Sequence, residues 1–248
     1  MLPLGVMALT ALSVLFTSFV SGIFGMAGGM ILMGLLLALM PVSAAMVMHG
    51  AAQLTANGWR ALLWRRYVDL RIFGRFLIGL VASGVLFSFV GFVPDRVLVL
   101  LTLGALPFIA VLVPRQYVIQ APQKGGSEVC GFLNGSMQFI AGVSGPLLDI
   151  FFLRTDMDRR SIVATKAACQ AAAHLAKLIY FGHAVGTDNL SAGMFAMAVG
   201  AAILGTTFGK TILERISDQQ FRRWTQGLVM VIGSVYLIQG AYLALSNH

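Results

Sequence analysis

Charged side chains are scarce in this chain: Asp, Glu, Lys and Arg together make up 10% of its 248 residues. Soluble globular domains carry about 25% charged residues. Hydrophobic residues reach 58%, and the mean hydropathy is +0.86. Such a chain cannot cover a water-facing surface with polar groups, which excludes a soluble enzyme, a nucleic-acid-binding protein and a disordered segment. Its natural solvent is a lipid bilayer.

Cysteines and acidic residues are also few. The two cysteines, Cys130 and Cys169, lie in apolar runs and predict buried free thiols rather than a disulfide or metal framework. Nine Asp and Glu stand against 17 Lys and Arg, which gives a net charge of +8. In a membrane protein this excess is typical of cytoplasmic loops rather than of nucleic-acid binding. We therefore expect no nucleic-acid partner, no metal and no cofactor.

Long apolar runs alternate with charge clusters and predict an all-α polytopic membrane protein. A span of about 20 residues with its connection leaves room for eight or nine elements and no folded extramembrane domain. The first run is too long for a cleaved signal peptide, so we expect it in the mature protein. We place about eight transmembrane elements at residues 4–40, 42–64, 72–91, 95–113, 128–153, 159–181, 189–209 and 220–245.

Basic residues divide the connections into two groups. The segments 60–75 and 210–223 are rich in Lys and Arg, so the positive-inside rule places both in the cytoplasm. The connection 182–189 has no Lys or Arg and is expected outside. We therefore expect a multi-pass protein of the cell (inner) membrane. Counting the crossings places both of its termini on the outer side.

The same count makes elements 1 and 5 broken hairpins. The element 128–153 begins and ends on one side and is too short for two full spans, so it must turn inside the membrane. Glycine clusters at residues 25–29 and 142–146 supply the two turns. Each half then holds one hairpin and three spans. Because three is odd, the sequence predicts two inverted repeats, 1–120 and 121–248, within a single membrane domain.

An offset of 117 positions aligns the polar residues of the two halves. Their spacing of i, i+4, i+8 and i+11 places each set on one helix face near the bilayer midplane. Structural hydrogen bonding between helices is the alternative to a functional cavity. Arg60 and Lys177 lie near helix ends, so for these two the alternative to a role in the cavity is that they snorkel to the interface. Asp149 is expected to pair with a cation such as Lys166 or to carry a coupling proton. The aligned pairs are His49 with Lys166, Gln53 with Gln170, Asn57 with His174, Arg60 with Lys177, and Gly25 and Gly28 with Gly142 and Gly145.

This inventory favours a small anion. Broken helices expose N–H groups, the stripes offer amide and cationic donors, and carboxylates are nearly absent from the apolar runs. The predicted substrate-binding residues are Gly28, Gly29, His49, Gln53, Asn57, Gly142, Ser144, Gly145, Lys166, Gln170 and His174.

The motifs around the two breaks resemble those of the TauE/SafE family of sulfite and organosulfur-anion exporters. The first is SGIFGMAGG at residues 21–29, and the second is GVSGP at residues 142–146, followed by RSIVATK at residues 160–166. The similarity covers nearly the whole chain, although Ala27 and Ser144 interrupt a motif that is commonly richer in glycine. The resemblance implies an eight-helix secondary transporter of small sulfur-containing or organic anions such as sulfite or sulfonates. Export by alternating access, with protons as the coupling ion, is the mechanism to test.

Two other function classes fit parts of the sequence. A passive anion channel can share its pore chemistry with a carrier. The GVSG segment at residues 142–145 matches the form found around rhomboid nucleophiles, so Ser144 could act with His174 or His183 in an intramembrane serine protease. A catalytic serine does not explain a duplicated glycine break, and Ala27 stands at the position equivalent to Ser144. The sequence therefore favours a transporter over an enzyme.

Overall fold

The computed structural model describes residues 4–24, 26–114, 117–152, 155–185, 192–213 and 218–246. Within these ranges the secondary structure is helical, with no strand. The helices are α1 (Leu4–Phe24), α2 (Met26–Leu39), α3 (Val42–Leu63), α4 (Leu70–Val90), α5 (Arg96–Leu112), α6 (Gly126–Ile140), α7 (Gly145–Ile150), α8 (Arg159–Val185), α9 (Ala192–Leu213) and α10 (Asp218–Ser246), with a 3₁₀ turn at Arg65–Tyr67.

Four of the described helices, α1, α4, α9 and α10, are long and apolar enough to cross a membrane. The polar residues of α3 and α8 lower their hydropathy, although both helices have at least 22 residues. The predicted class, an all-α polytopic membrane protein, is confirmed. Gly25, residues 186–189 of the connection 182–189 and residues 214–217 of the segment 210–223 lie outside the described residues.

Both glycine clusters interrupt a helix, as expected. The run 4–40 divides into α1 and α2, and the run 128–153 divides into α6 and α7. Gly142 has a φ of +73°, in the left-handed region that glycine adopts readily. Pro146 then lies in the first turn of α7, where its missing N–H costs nothing. The second arm of this hairpin is only 6 residues long, shorter than the sequence suggested.

Two of the helices have an aspartate at the N-cap position, immediately before their first residue. The Asp69 carboxylate accepts hydrogen bonds from the backbone N–H groups of Arg71 and Ile72 at the start of α4. Asp95 caps α5 in the same way through Leu98 N–H. A carboxylate at a helix N-terminus satisfies free donors and interacts favourably with the helix dipole.

Glycines bring two pairs of helices into backbone contact. Helix α1 packs against α9, and α4 packs against α6. A Cβ atom on Gly22 would lie 2.7 Å from the Cα of Gly209 in the first pair, and one on Gly131 would overlap the Phe76 carbonyl in the second. Such contacts are typical of helix pairing in membranes, where small residues allow close approach.

Helices α3 and α8 also pack against each other and position the polar stripes. At their contact, a Cβ atom on Gly50 would lie 3.5 Å from the His174 carbonyl oxygen and from Cε of Lys177. Fully buried methionines from α2 and α3, including Met33 and Met46, fill the space beside the second hairpin turn. Polar side chains of both α3 and α8 lie in the interior of the helix assembly, among them His49, Gln53, Gln170, His174 and Lys177.

Candidate functional site

A chain of hydrogen bonds joins the two hairpins through α3 and α8. Lys177 Nζ donates to the Gly142 carbonyl at 2.7 Å and lies 2.8 Å from His49 Nδ1. His49 Nε2 lies 2.9 Å from the Gly29 carbonyl oxygen. Because the lysine donates to Nδ1, the imidazole keeps its hydrogen on Nε2 and donates it to Gly29. The backbone of one hairpin is thus connected to that of the other by two side chains.

Lys177 is fully buried, with 0% of its surface exposed. In the described part of the chain it forms no ion pair with a carboxylate, and Asp149 is already paired with Lys166. An isolated charge is costly to bury unless an opposite charge or strong hydrogen bonds compensate it. A bound anion would provide that compensation at this position.

Gln53 and Gln170 each present a free amide donor. Their side chains are 4% and 9% exposed, and neither Nε2 has a hydrogen-bond partner among the described residues. The carbonyl ends are held: Asn57 Nδ2 lies 3.4 Å from Oε1 of Gln53, and Gln138 Nε2 lies 3.2 Å from Oε1 of Gln170. Fixing each carbonyl directs the unpaired N–H₂ group elsewhere, as binding of a ligand oxygen requires.

His174 lies beside this lysine–histidine pair. Its ring centroid is 5.5 Å from that of His49, and the side chain is buried. Its Nδ1 atom has no partner within the described ranges. The structure therefore brings together Lys177 and the predicted residues His49 and His174.

Ser144 is held by a residue that the sequence analysis missed. Its hydroxyl accepts a hydrogen bond from Gln138 Nε2 at 3.0 Å, and both side chains are fully buried. The partner identified for the hydroxyl is thus an amide rather than the histidine base that a serine nucleophile needs. Gln138 also contacts Gln170. The offset of 117 places it opposite Ser21, and this correspondence could have identified it.

The predicted glycines serve different purposes. A Cβ atom on Gly28 would overlap the Thr17 carbonyl, so Gly28 allows α2 to pack directly on α1. Gly29 faces Gln53 at ordinary contact distance, with room for a methyl group. Gly142 forms the turn with its positive φ, and Gly145 begins α7. Close packing accounts for Gly28 without a ligand.

Cations near the hairpins do not snorkel freely. Lys177 is buried at the centre, so the interpretation that it snorkels to the interface is wrong. Arg60 is half-buried and donates through Nη2 to the Ser21 carbonyl at 2.9 Å, near the end of α1. Lys166 forms the expected ion pair with Asp149, and both side chains are partly exposed, at 28% and 29%.

Within the described residues, no three or more His, Cys, Asp or Glu side chains come together in a group that could hold a metal ion. Both cysteines are buried and free, as predicted. The buried polar side chains of the site are amides, imidazoles, the Ser144 hydroxyl and the Lys177 amine.

A family model matches most of the chain. The family model described as sulfite exporter TauE/SafE matches residues 10–236. Neither a curated protein nor a solved structure matches the chain significantly. The matched segment includes both hairpins, α3 and α8, and most of the remaining helices. The chain therefore belongs to the sulfite exporter TauE/SafE family of membrane transporters.

Proposed function

We propose that the protein exports small sulfur-containing anions, such as sulfite or sulfonates, by alternating access around the α3–α8 site. One observation carries the proposal: Lys177 is fully buried, has no carboxylate partner among the described residues, and joins the second hairpin to His49. Gln53 and Gln170, on the same two helices, add unpaired N–H₂ groups. Membership of a sulfite exporter family supports the class of substrate.

Each residue of the site receives a role. Lys177 supplies the positive charge, while Gln53 and Gln170 donate neutral hydrogen bonds to the oxygens of the anion. His174 offers a further ring nitrogen, and His49 holds Lys177 in place. Other groups support these residues. Asn57 contacts the carbonyl of Gln53, and Gln138, itself bonded to Ser144, contacts the carbonyl of Gln170. The backbone carbonyls of Gly29 and Gly142 accept hydrogen bonds from His49 and Lys177.

We also propose that residues 1–120 and 121–248 are inverted repeats. Support comes from the helix pairs, because α1 with α9 and α6 with α4 are exchanged by the offset that aligns the halves. Exposure follows the same offset: Leu12 corresponds to Val129 and Phe16 to Leu133, and all four side chains are exposed. Such a duplicated arrangement is typical of carriers that open alternately to the two sides.

Protons are the proposed coupling ion, and the His49–Lys177 pair is the group we assign to them. The two nitrogen atoms lie 2.8 Å apart, so a proton can be shared between them. Asp149, the acid considered from the sequence, is engaged by Lys166. The pair also lies next to the proposed anion site, so binding of a proton to the pair would influence binding of the anion.

Replacing the glutamines tests the site. We expect Gln53→Met and Gln170→Met each to weaken binding of methanesulfonate by about 5- to 150-fold, since one buried hydrogen bond is worth about 1–3 kcal/mol when its partner is left unpaired. Isothermal titration of the detergent-purified protein measures this affinity. The matched control is Gln239→Met on α10, where the glutamine is exposed. Unchanged affinity in both site variants would contradict the proposed location.

Transport is measured in proteoliposomes under an imposed pH gradient. A coupled carrier accumulates methanesulfonate above its electrochemical equilibrium, and the accumulation collapses when a protonophore removes the gradient. Flux that only ever reaches equilibrium would show a passive channel instead. The measurement separates the two transport mechanisms without assuming the binding site.

A further inference from the structure

Helix α6 carries a buried polar stripe outside the central site. Ser127, Asn134 and Gln138 are separated by seven and four residues, which places them on one face of the helix. All three side chains are fully buried. The stripe begins in the first turn of α6 and ends at Gln138, which contacts Ser144 and Gln170. It therefore leads along the helix to the proposed anion site.

Helix α1 carries a stripe at the same repeat positions. Thr10, Thr17 and Ser21 correspond to Ser127, Asn134 and Gln138 at the offset of 117, and all three are buried. Apolar residues occupy the opposite, exposed side at matching positions, as at Phe16 and Leu133. The duplicated pattern thus extends to the first helix of each hairpin.

Local hydrogen bonds explain part of these stripes. The Thr17 hydroxyl donates to the Ser13 carbonyl one turn earlier, and the Ser127 hydroxyl donates to the Ala121 carbonyl. Such bonds allow hydroxyl groups to lie in a membrane helix without any ligand. These two residues alone would not indicate a function.

Asn134 has no such explanation. Its exposed fraction is 0%, and neither Nδ2 nor Oδ1 has a hydrogen-bond partner in the described part of the chain. Oε1 of Gln138 and Oγ of Ser21 are likewise unpaired there. A buried polar group without a partner is destabilising, and an apolar side chain of similar size would avoid the cost. The residue is therefore better explained by a requirement of transport than by stability.

We propose that the two stripes line the two halves of the translocation path, α6 from one membrane face and α1 from the other. The proposal rests on the proposed transport function. A small hydrated oxyanion fits the amide of Asn134, whose N–H₂ group donates to the anion while its carbonyl accepts from the hydration water. Gln138 follows Asn134 along the stripe: its unpaired Oε1 accepts from the hydration water, and its Nε2 holds Gln170, whose free N–H₂ group receives the anion.

The arrangement at the end of each stripe is consistent with this path. The Ser21 backbone carbonyl accepts a hydrogen bond from Arg60, so a cation lies where the α1 stripe ends. On the other side, Lys177 contacts Gly142, four residues beyond Gln138. Each stripe therefore ends beside a positive charge that attracts an anion. Both stripes are buried in this conformation, so each must open in turn during transport.

Side-specific labelling of cysteines tests the path. The background is the Cys130→Ala and Cys169→Ala protein, into which Asn134→Cys and Thr17→Cys are introduced separately. In proteoliposomes of one orientation, a membrane-impermeant methanethiosulfonate is applied to one face at a time. We expect Asn134→Cys to react from one face and Thr17→Cys from the opposite face, each at least about tenfold faster than Leu133→Cys and Phe16→Cys, the matched lipid-facing controls.

The outcomes are decisive and do not depend on the central site. Reaction of both cysteines from the same face, or at the slow rate of the controls, overturns the proposal. Ser127→Cys and Thr10→Cys repeat the test if either first variant fails to fold. A protein that binds no anion would contradict the proposed function, yet labelling from opposite faces would still support two half-paths.

Asn134→Leu provides the complementary measurement. We expect its thermal midpoint to be equal to or above that of the wild type, because the unpaired amide is removed. Methanesulfonate affinity at the central site should stay within twofold, whereas the transport rate should fall at least about tenfold, as one barrier step rises by about 1.4 kcal/mol. A transport rate equal to wild type overturns a role for Asn134.

Discussion

The first hairpin, α1–α2, and the second, α6–α7, occupy matching places in the chain and differ in chemistry. In the first, Gly28 packs on the α1 backbone and the buried stripe carries hydroxyl groups. In the second, the stripe carries the amides of Asn134 and Gln138, and Lys177 holds the turn through Gly142. The difference favours one scaffold used twice, with the first hairpin serving close packing and the second hairpin presenting buried amides and the contact with Lys177.

The largest difference in anion affinity between corresponding variants of the two halves is expected for Lys177 and Arg60. We expect Lys177→Met to weaken methanesulfonate binding by more than about 100-fold, because losing one partner of a buried charge interaction costs about 3–5 kcal/mol. Arg60→Met should weaken it less than about tenfold, since Arg60 is half-buried at the end of α1. Isothermal titration measures both. Equal losses would give the cations beside the two hairpins the same role in binding and break the comparison.

The packing role of the first hairpin can be tested by the stability of variants at its two glycines, Gly28 and Gly29. Gly28→Ala places a methyl group against the Thr17 carbonyl and should lower the free energy of unfolding by about 1–3 kcal/mol. Gly29→Ala has room beside Gln53 and should change it by less than about 0.5 kcal/mol. Thermal unfolding in detergent compares the two. A Gly28 variant as stable as the Gly29 variant would remove the packing role assigned to the first hairpin.

The smallest effect is expected at the Lys166–Asp149 pair. Both side chains are partly exposed, so water screens the attraction. A double-mutant cycle with Lys166→Met and Asp149→Asn should give a coupling below about 1 kcal/mol, and transport should fall less than about threefold. A tenfold loss of affinity in Lys166→Met alone would instead support the sequence-based assignment of Lys166 to the anion site.

The helix breaks and the two stripes of α3 and α8 were accessible from the sequence. Glycine clusters in apolar runs have few structural outcomes, and a period near 3.6 assigns polar residues to one face. The pairing of Asp149 with Lys166 was also predicted, because so few opposite charges occur nearby in the chain. These inferences depend on local sequence and on counting crossings.

The central position of Lys177 was not accessible in this way. The sequence ended the helix near residue 181, whereas α8 continues to Val185, so Lys177 lies two turns inside rather than near an end. Its contacts with His49 and Gly142 join residues far apart in the chain. Gln138 had a sequence signal in its correspondence with Ser21, but its partners depend on how α6 folds back toward α8.

The glycine contacts between helices have a consequence for assembly and motion. Helix α1 of the first half packs closely against α9 of the second half. Helix α4 of the first half packs in the same way against α6 of the second half. The halves are therefore interleaved, and a boundary near residue 120 in the chain is no boundary in space. Any movement of one half against the other would have to separate these backbone contacts, and a separated half would expose the glycine-lined surfaces that its counterpart covers.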